Sequence, residues 1–147
     1  MRTARLLLGF SAFIMAIGGA AHALAFRKAA EALASVNLPH AMAAAFKALW
    51  LADSTTSLTV AAVFAFVAAR PSKISGQLAM VVALVPAFTG IFIYTFLGNF
   101  YAGHMMIAAA ASAVLGGSLL RKTLLLDLHE HGVFGIDHLD HRSVRVL

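Results

Sequence analysis

Four long apolar runs constrain the fold of this chain more than any other feature of its sequence. They cover residues 6–26, 48–69, 78–97 and 100–120, and the only Asp, Glu, Lys or Arg inside them is Asp53. About 20 apolar residues in an α-helix cross the roughly 30 Å hydrocarbon core of a bilayer. The sequence therefore predicts an all-α integral membrane protein, with a four-helix bundle in residues 1–120 and a polar tail in residues 121–147.

The composition agrees with this prediction. Charged residues make up 12% of the 147 residues, whereas about 25% is usual in soluble domains. The eleven Lys and Arg residues are scattered in ones and twos, so no nucleic-acid partner is predicted. The chain has no cysteine, which excludes disulfides, thiolate metal ligands and cysteine nucleophiles. The predicted partner is the lipid bilayer.

The distribution of positive charge predicts the orientation of the chain. Cytoplasmic loops of membrane proteins are enriched in Lys and Arg. If both termini are cytoplasmic, the inner basic residues are Arg2, Arg5, Arg70, Lys73, Arg121 and Lys122, and the outer ones are Arg27, Lys28 and Lys47. The larger inner set predicts an up-down-up-down topology with N and C termini in the cytoplasm. The predicted location is a bacterial inner membrane.

The first apolar run has a second interpretation. Arg2, Arg5, the apolar stretch after them and the tripeptide Ala23-Leu24-Ala25 resemble a signal peptide with its cleavage site. Cleavage there would remove the first span. The apolar run continues to Phe26 before the next basic residue, which favours a span that is retained.

Small residues recur at helical spacing in three of the runs. Helix association in lipid gains little from the hydrophobic effect, so close contact between small residues supplies much of the attraction. The recurring sets are Ala108, Ser112 and Gly116, then Ala109, Ala113 and Gly117, then Ser57, Ala61, Ala65 and Ala69, and finally Ala12, Ala16 and Ala20. These sets predict helix contacts, and Pro86 predicts a bend in the third span.

Polar side chains occur at a similar depth in all four runs. His22, Asp53, Tyr94 and His104 each lie about four residues inside the outer end of their run, roughly 6 Å below the boundary. An ionisable group within a span usually faces the bundle interior and has a partner or a task. The sequence therefore predicts that these four residues share one layer.

This layer allows three interpretations. Two histidines, a carboxylate and a phenol are ligands for zinc, iron or copper, and His22 with His104 would be the axial ligands of a haem b. A buried hydrogen-bond network, or side chains that reach the nearby surface, needs no ligand. A path for a proton or a small substrate is the third interpretation. No sequence motif distinguishes them, because the residues come from separate helices.

The polar tail is rich in histidine. His129, His131, His138 and His141 lie among four acidic residues, a composition that binds divalent metals. The same segment is compatible with a solvated amphipathic helix or a disordered tail. Its leucines and Phe134 favour docking on the membrane surface or on a partner subunit.

No arrangement of residues in the sequence indicates catalysis. The main functional prediction is a non-catalytic subunit or scaffold that forms a homo-oligomer or joins a larger membrane complex. One alternative is a metal- or haem-binding protein that uses His22, Asp53, Tyr94 and His104. A further alternative is an oligomeric carrier for a small cation, in which Asp53 is required.

Overall fold

The protein is all-helical in the part of the chain that its structure, a computed structural model, describes. That part comprises the backbone of residues 1–140 and the side chains of residues 1–72 and 74–123. The helices are α1 (Arg2–Ala34), α2 (His40–Ala69), α3 (Lys73–Val82), α4 (Leu84–Leu97) and α5 (Tyr101–Asp140). Four stretches are long and apolar enough to span a membrane: α1, α2, α3 together with α4, and Tyr101–Thr123 of α5. The prediction of an all-α chain with four such helices is confirmed.

The third span consists of two helices. Ser72 caps α3, because its Oγ accepts the Ser75 backbone N–H at 3.0 Å while the Ser75 Oγ accepts the Ser72 N–H at 2.6 Å. This reciprocal pair satisfies N–H groups that have no partner inside the helix. The span is interrupted at Ala83. Pro86 accounts for this position, since its ring clashes with the carbonyl four residues earlier, at Val82.

Helices α1 and α5 form the centre of the bundle. Helix α1 packs on α2 and α5, and α5 also packs on α3 and α4. Among the described helices, α2 and α4 make no extensive contact with one another. A gap therefore remains between α2 and α4, with α1 and α5 behind it.

Glycines bring α5 against both α1 and α3. A Cβ added at Gly116 would lie 3.0 Å from the carbonyl oxygen of Ala4 in α1. A Cβ added at Gly117 would lie 2.6 Å from the carbonyl oxygen of Gly76 in α3, closer than real Cβ atoms approach a neighbour. The contacts predicted from the small residues of α5 are therefore confirmed at these two glycines.

The small-residue set of α2 is divided along the length of the helix. Ser57 and Ala61 are buried, and Ser57 lies against Gly19 of α1. Ala65 and Ala69 are exposed. The first half of the predicted set thus packs inside the protein, and the second half lies on its surface.

A pair of hydroxyl groups crosses the interface between α1 and α5. The Ser11 Oγ lies 2.9 Å from the Ser112 Oγ and 2.9 Å from the carbonyl oxygen of Ala109. Both serines are buried. Hydrogen bonds between helices in lipid contribute roughly 0.6 kcal/mol each on average, so this pair adds modestly to the packing of the central helices.

Candidate functional site

Three side chains of α2 surround His22 where α1 and α2 meet. The His22 Nδ1 lies 3.3 Å from the Asp53 Oδ2 and 3.2 Å from the Ser54 Oγ. Trp50 is the third member of the group. It lies four residues before Ser54, and residues four apart share a helix face. His22 and Asp53, which were expected at one level of the bundle, are in direct contact.

Trp50 holds His22 in place. The indole Nε1–H donates a hydrogen bond to the backbone carbonyl of His22 at 2.7 Å. The two rings are also stacked, with centroids 4.1 Å apart and planes inclined by 16°. Because Trp50 meets both the backbone and the ring of His22, it restricts rotation of the imidazole.

The hydrogen bonds determine which nitrogen of His22 carries a hydrogen. The Ser54 hydroxyl donates to the Trp50 carbonyl at 3.0 Å, so its oxygen is an acceptor toward His22. The Asp53 carboxylate is an acceptor as well. The Nδ1 atom of His22 therefore holds a hydrogen, and in the neutral ring Nε2 keeps its lone pair. Nε2 is the atom through which His22 would accept a hydrogen bond or bind a metal.

A cleft of about 910 Å³ lies beside this cluster, in the gap between α2 and α4. His22, Trp50 and Asp53 are among its lining residues. Most of the other lining residues are apolar or aromatic and include Ile17, Phe92, Phe96, Phe100, Met105 and Met106. The Asp53 side chain is 50% exposed. The cleft has the size of a small-molecule site, roughly 300–1,000 Å³, and combines apolar walls with a carboxylate.

Tyr94 and His104 form a separate pair. The Tyr94 hydroxyl is hydrogen-bonded to the His104 Nδ1, and the ring centroids lie 5.4 Å apart. Tyr94 belongs to α4 and His104 to α5, and neither lines the cleft. The four polar residues expected in one layer therefore form two pairs, one between α1 and α2 and the other between α4 and α5.

The geometry brings at most two of the expected metal ligands together. Within residues 1–72 and 74–123, no group of three or more His, Asp or Glu side chains is placed to hold a metal ion. The side chains of His129, His131 and His138 lie outside the described residues, as does the whole of His141. Metal or haem binding by either set of residues stays a prediction.

Trp50 and Ser54 are members of the site that the depth argument does not identify. The indole of Trp50 and the hydroxyl of Ser54 both form hydrogen bonds with His22 and so set its orientation. The sequence feature that could have identified them is the four-residue spacing between Trp50 and Ser54, which places both on the α2 face beside Asp53.

Comparison with known proteins identifies no relative of this chain. No family model matches it, and neither a curated protein nor a solved structure does so. Its function is therefore inferred from its own residues and contacts.

Proposed function

We propose that this chain is a small multi-pass protein of the bacterial inner membrane, without catalytic activity, that acts as a subunit or scaffold by packing against a second copy of itself. The four span-like helices support a membrane location. Arg5 at the start of α1 contacts Ala68 at the end of α2, and Gly76 at the start of α3 contacts Gly117 near the end of the fourth span. Both contacts are between antiparallel helices and support an up-down-up-down topology. The larger number of basic residues on one side supports cytoplasmic termini.

An exposed face of α2 is the main support for self-association. Ala52, Thr55, Thr59 and Ala62 recur at intervals of three and four residues, and all of them are exposed. They lie on the side of α2 opposite to the face that is buried against the rest of the protein. These four residues are called the α2 seam below.

The α2 seam differs from the outward faces of the other spans. Bulky side chains are exposed on those faces, among them Phe10, Phe13, Phe88, Ile91 and Leu115. Small residues instead allow two helix backbones to approach closely in lipid. The hydroxyl groups of Thr55 and Thr59 donate to carbonyls of their own helix, so they bring no unsatisfied hydrogen to a contact. A second copy of the seam is a suitable partner, because a twofold axis places the same small residues on both sides.

The substitution Ala62→Phe is expected to weaken self-association. The ring would hold two α2 helices apart and remove their backbone contact. We expect the dissociation constant to rise about tenfold, which corresponds to about 1.4 kcal/mol. The measurement is energy transfer between donor- and acceptor-labelled copies in lipid vesicles, followed as the protein is diluted with lipid.

Ala111→Phe provides the matched control. Ala111 is exposed on α5 among bulky residues such as Ile107, Val114 and Leu115. The same enlargement there should leave energy transfer at the wild-type level. Wild-type protein that shows no transfer at any density, or an Ala62→Phe variant that associates like wild type, contradicts the proposal.

Binding of an organic cation is the second candidate function, and the position of Asp53 favours it. The Asp53 carboxylate lines a cleft whose walls include the rings of Phe92 and Phe96. Opposite charges attract more strongly beside apolar walls than in water, and aromatic faces add cation–π attraction. An organic cation with an apolar body therefore matches this cleft.

Tetraphenylphosphonium is expected to bind in the cleft and to change the fluorescence of Trp50. Trp50 is the single tryptophan of the chain and lines the cleft, so the signal reports on this site. We expect Asp53→Asn to raise the dissociation constant about tenfold because the carboxylate charge is lost. Glu31→Gln is the control, since Glu31 pairs with Arg27 outside the cleft. A fluorescence change that does not saturate, or an unchanged affinity in Asp53→Asn, would remove this candidate.

A further inference from the structure

A second groove lies between α1 and α2, at the end of these helices away from His22. Its volume is about 580 Å³. Its lining residues include Arg2, Arg5, Leu6, Gly9, Ala65 and Ala69. The arginines come from the first turns of α1, and the rest of the lining is apolar. No acidic residue is among the lining residues in the described part of the chain. The groove thus combines a positively charged end with an apolar floor.

Gly9 keeps this groove open. A Cβ added at Gly9 would meet no atom within 4 Å. The glycine is therefore not needed for contact between α1 and α2, unlike Gly19 farther along α1, where an added Cβ would lie 3.0 Å from the Ser57 Cβ. With the small side chains of Ala65 and Ala69 opposite, the absence of a side chain at Gly9 leaves an open groove along the two helices.

Arg5 is oriented by the end of α2. Its Nε–H donates a hydrogen bond to the carbonyl of Ala68 at 2.8 Å. Ala68 is in the last turn of α2, where carbonyl groups have no helical N–H partner. This bond uses only the Nε–H of Arg5. The guanidinium has further N–H groups on its two terminal nitrogens, which can donate to a ligand. Arg2, one turn earlier on α1, is exposed beside the same groove.

We propose that this groove binds an anionic phospholipid, with the phosphate at Arg2 and Arg5 and an acyl chain along the floor. Guanidinium groups bind phosphate oxygens through paired, charge-assisted hydrogen bonds. From Arg5 to Ala12 the apolar floor extends along α1 for about 10 Å. This length accommodates the part of an acyl chain nearest the headgroup. A free phosphate ion would leave this apolar floor uncovered. The site uses a different part of α2 from the α2 seam, so it does not depend on self-association.

The test is native mass spectrometry of the full chain, released from micelles that contain equal amounts of phosphatidylglycerol and phosphatidylcholine. Wild-type protein is expected to retain phosphatidylglycerol in roughly tenfold excess, since each arginine near a headgroup attracts anionic lipid. In the double variant Arg2→Gln, Arg5→Gln the two lipids should be retained equally. Gly9→Leu keeps both arginines but places a bulky side chain in the groove, and it should reduce the retention of both lipids.

Lys28→Gln with Lys47→Gln is the control, because it removes the same charge far from the groove. It should retain the wild-type preference. An unchanged preference in the arginine variant, or unchanged retention in Gly9→Leu, overturns the proposal. Millimolar inorganic phosphate should not displace the phosphatidylglycerol. Complete displacement would identify a site for a free anion and also overturn it.

Discussion

Gly117→Ala is expected to destabilise the protein, although alanine is the better helix former. In an open helix position the change would add about 0.8–1.0 kcal/mol of stability. Here the new Cβ would lie 2.6 Å from the Gly76 carbonyl oxygen and 2.9 Å from the Met80 Cγ. Met80 can rotate away, but the backbone of α3 has to separate from α5. Such overpacking costs on the order of 1–3 kcal/mol, and a backbone neighbour places this site at the upper end.

Gly9→Ala is the matched control, because it makes the same chemical change in a helix where an added Cβ meets nothing within 4 Å. It should be neutral or stabilising by up to about 0.8 kcal/mol. The two free energies of unfolding, measured by denaturant titration in mixed micelles, should therefore change in opposite directions. Equal changes in both variants would show that α3 and α5 are not in backbone contact at Gly117.

The number and the approximate position of the four spans follow from the sequence because the bilayer imposes a simple requirement. Each span needs about 20 apolar residues with its backbone hydrogen bonds made internally. Two of the connections also lie at residues that favour the end or the start of a helix. Helix α1 ends and α2 begins around Pro39, and Gly98, whose φ is 70°, ends α4 in a conformation that other residues rarely adopt. These signals are local, so they do not depend on which helices become neighbours.

The arrangement of the polar residues was predictable only in part. Sequence position gives the depth of a residue along a helix, but each residue is also rotated by about 100° from the one before it. The depth argument predicts that His22 is level with Asp53, and the His22 Nδ1 lies 3.3 Å from the Asp53 Oδ2. Depth also placed Tyr94 and His104 at that level, yet they pair with one another and do not line the cleft. The rotation of α4 and α5 depends on contacts such as that of Gly90 with Ile107, which depth does not specify.

Phe64→Ala is expected to lower the free energy of unfolding by about 2 kcal/mol. Phe64 is 0% exposed and belongs to the central apolar cluster. In a water-soluble protein the same substitution costs about 3–5 kcal/mol, partly because folding of the wild-type chain transfers the ring from water into the core. A helix that separates from its neighbours in lipid stays in an apolar solvent, so this part of the cost largely disappears. The loss of packing around the cavity remains.

Phe13→Ala distinguishes packing from general loss of apolar surface. Phe13 lies within the first span and is 62% exposed, so its ring contacts lipid and leaves no cavity when it is removed. We expect its free energy of unfolding to change by less than about 0.5 kcal/mol. If Phe13→Ala and Phe64→Ala destabilise the protein equally, apolar surface rather than close packing holds the helices together. A large effect of Phe64→Ala alone means that α2 is held by the fit of its buried face, whereas its outward α2 seam stays available to a second copy.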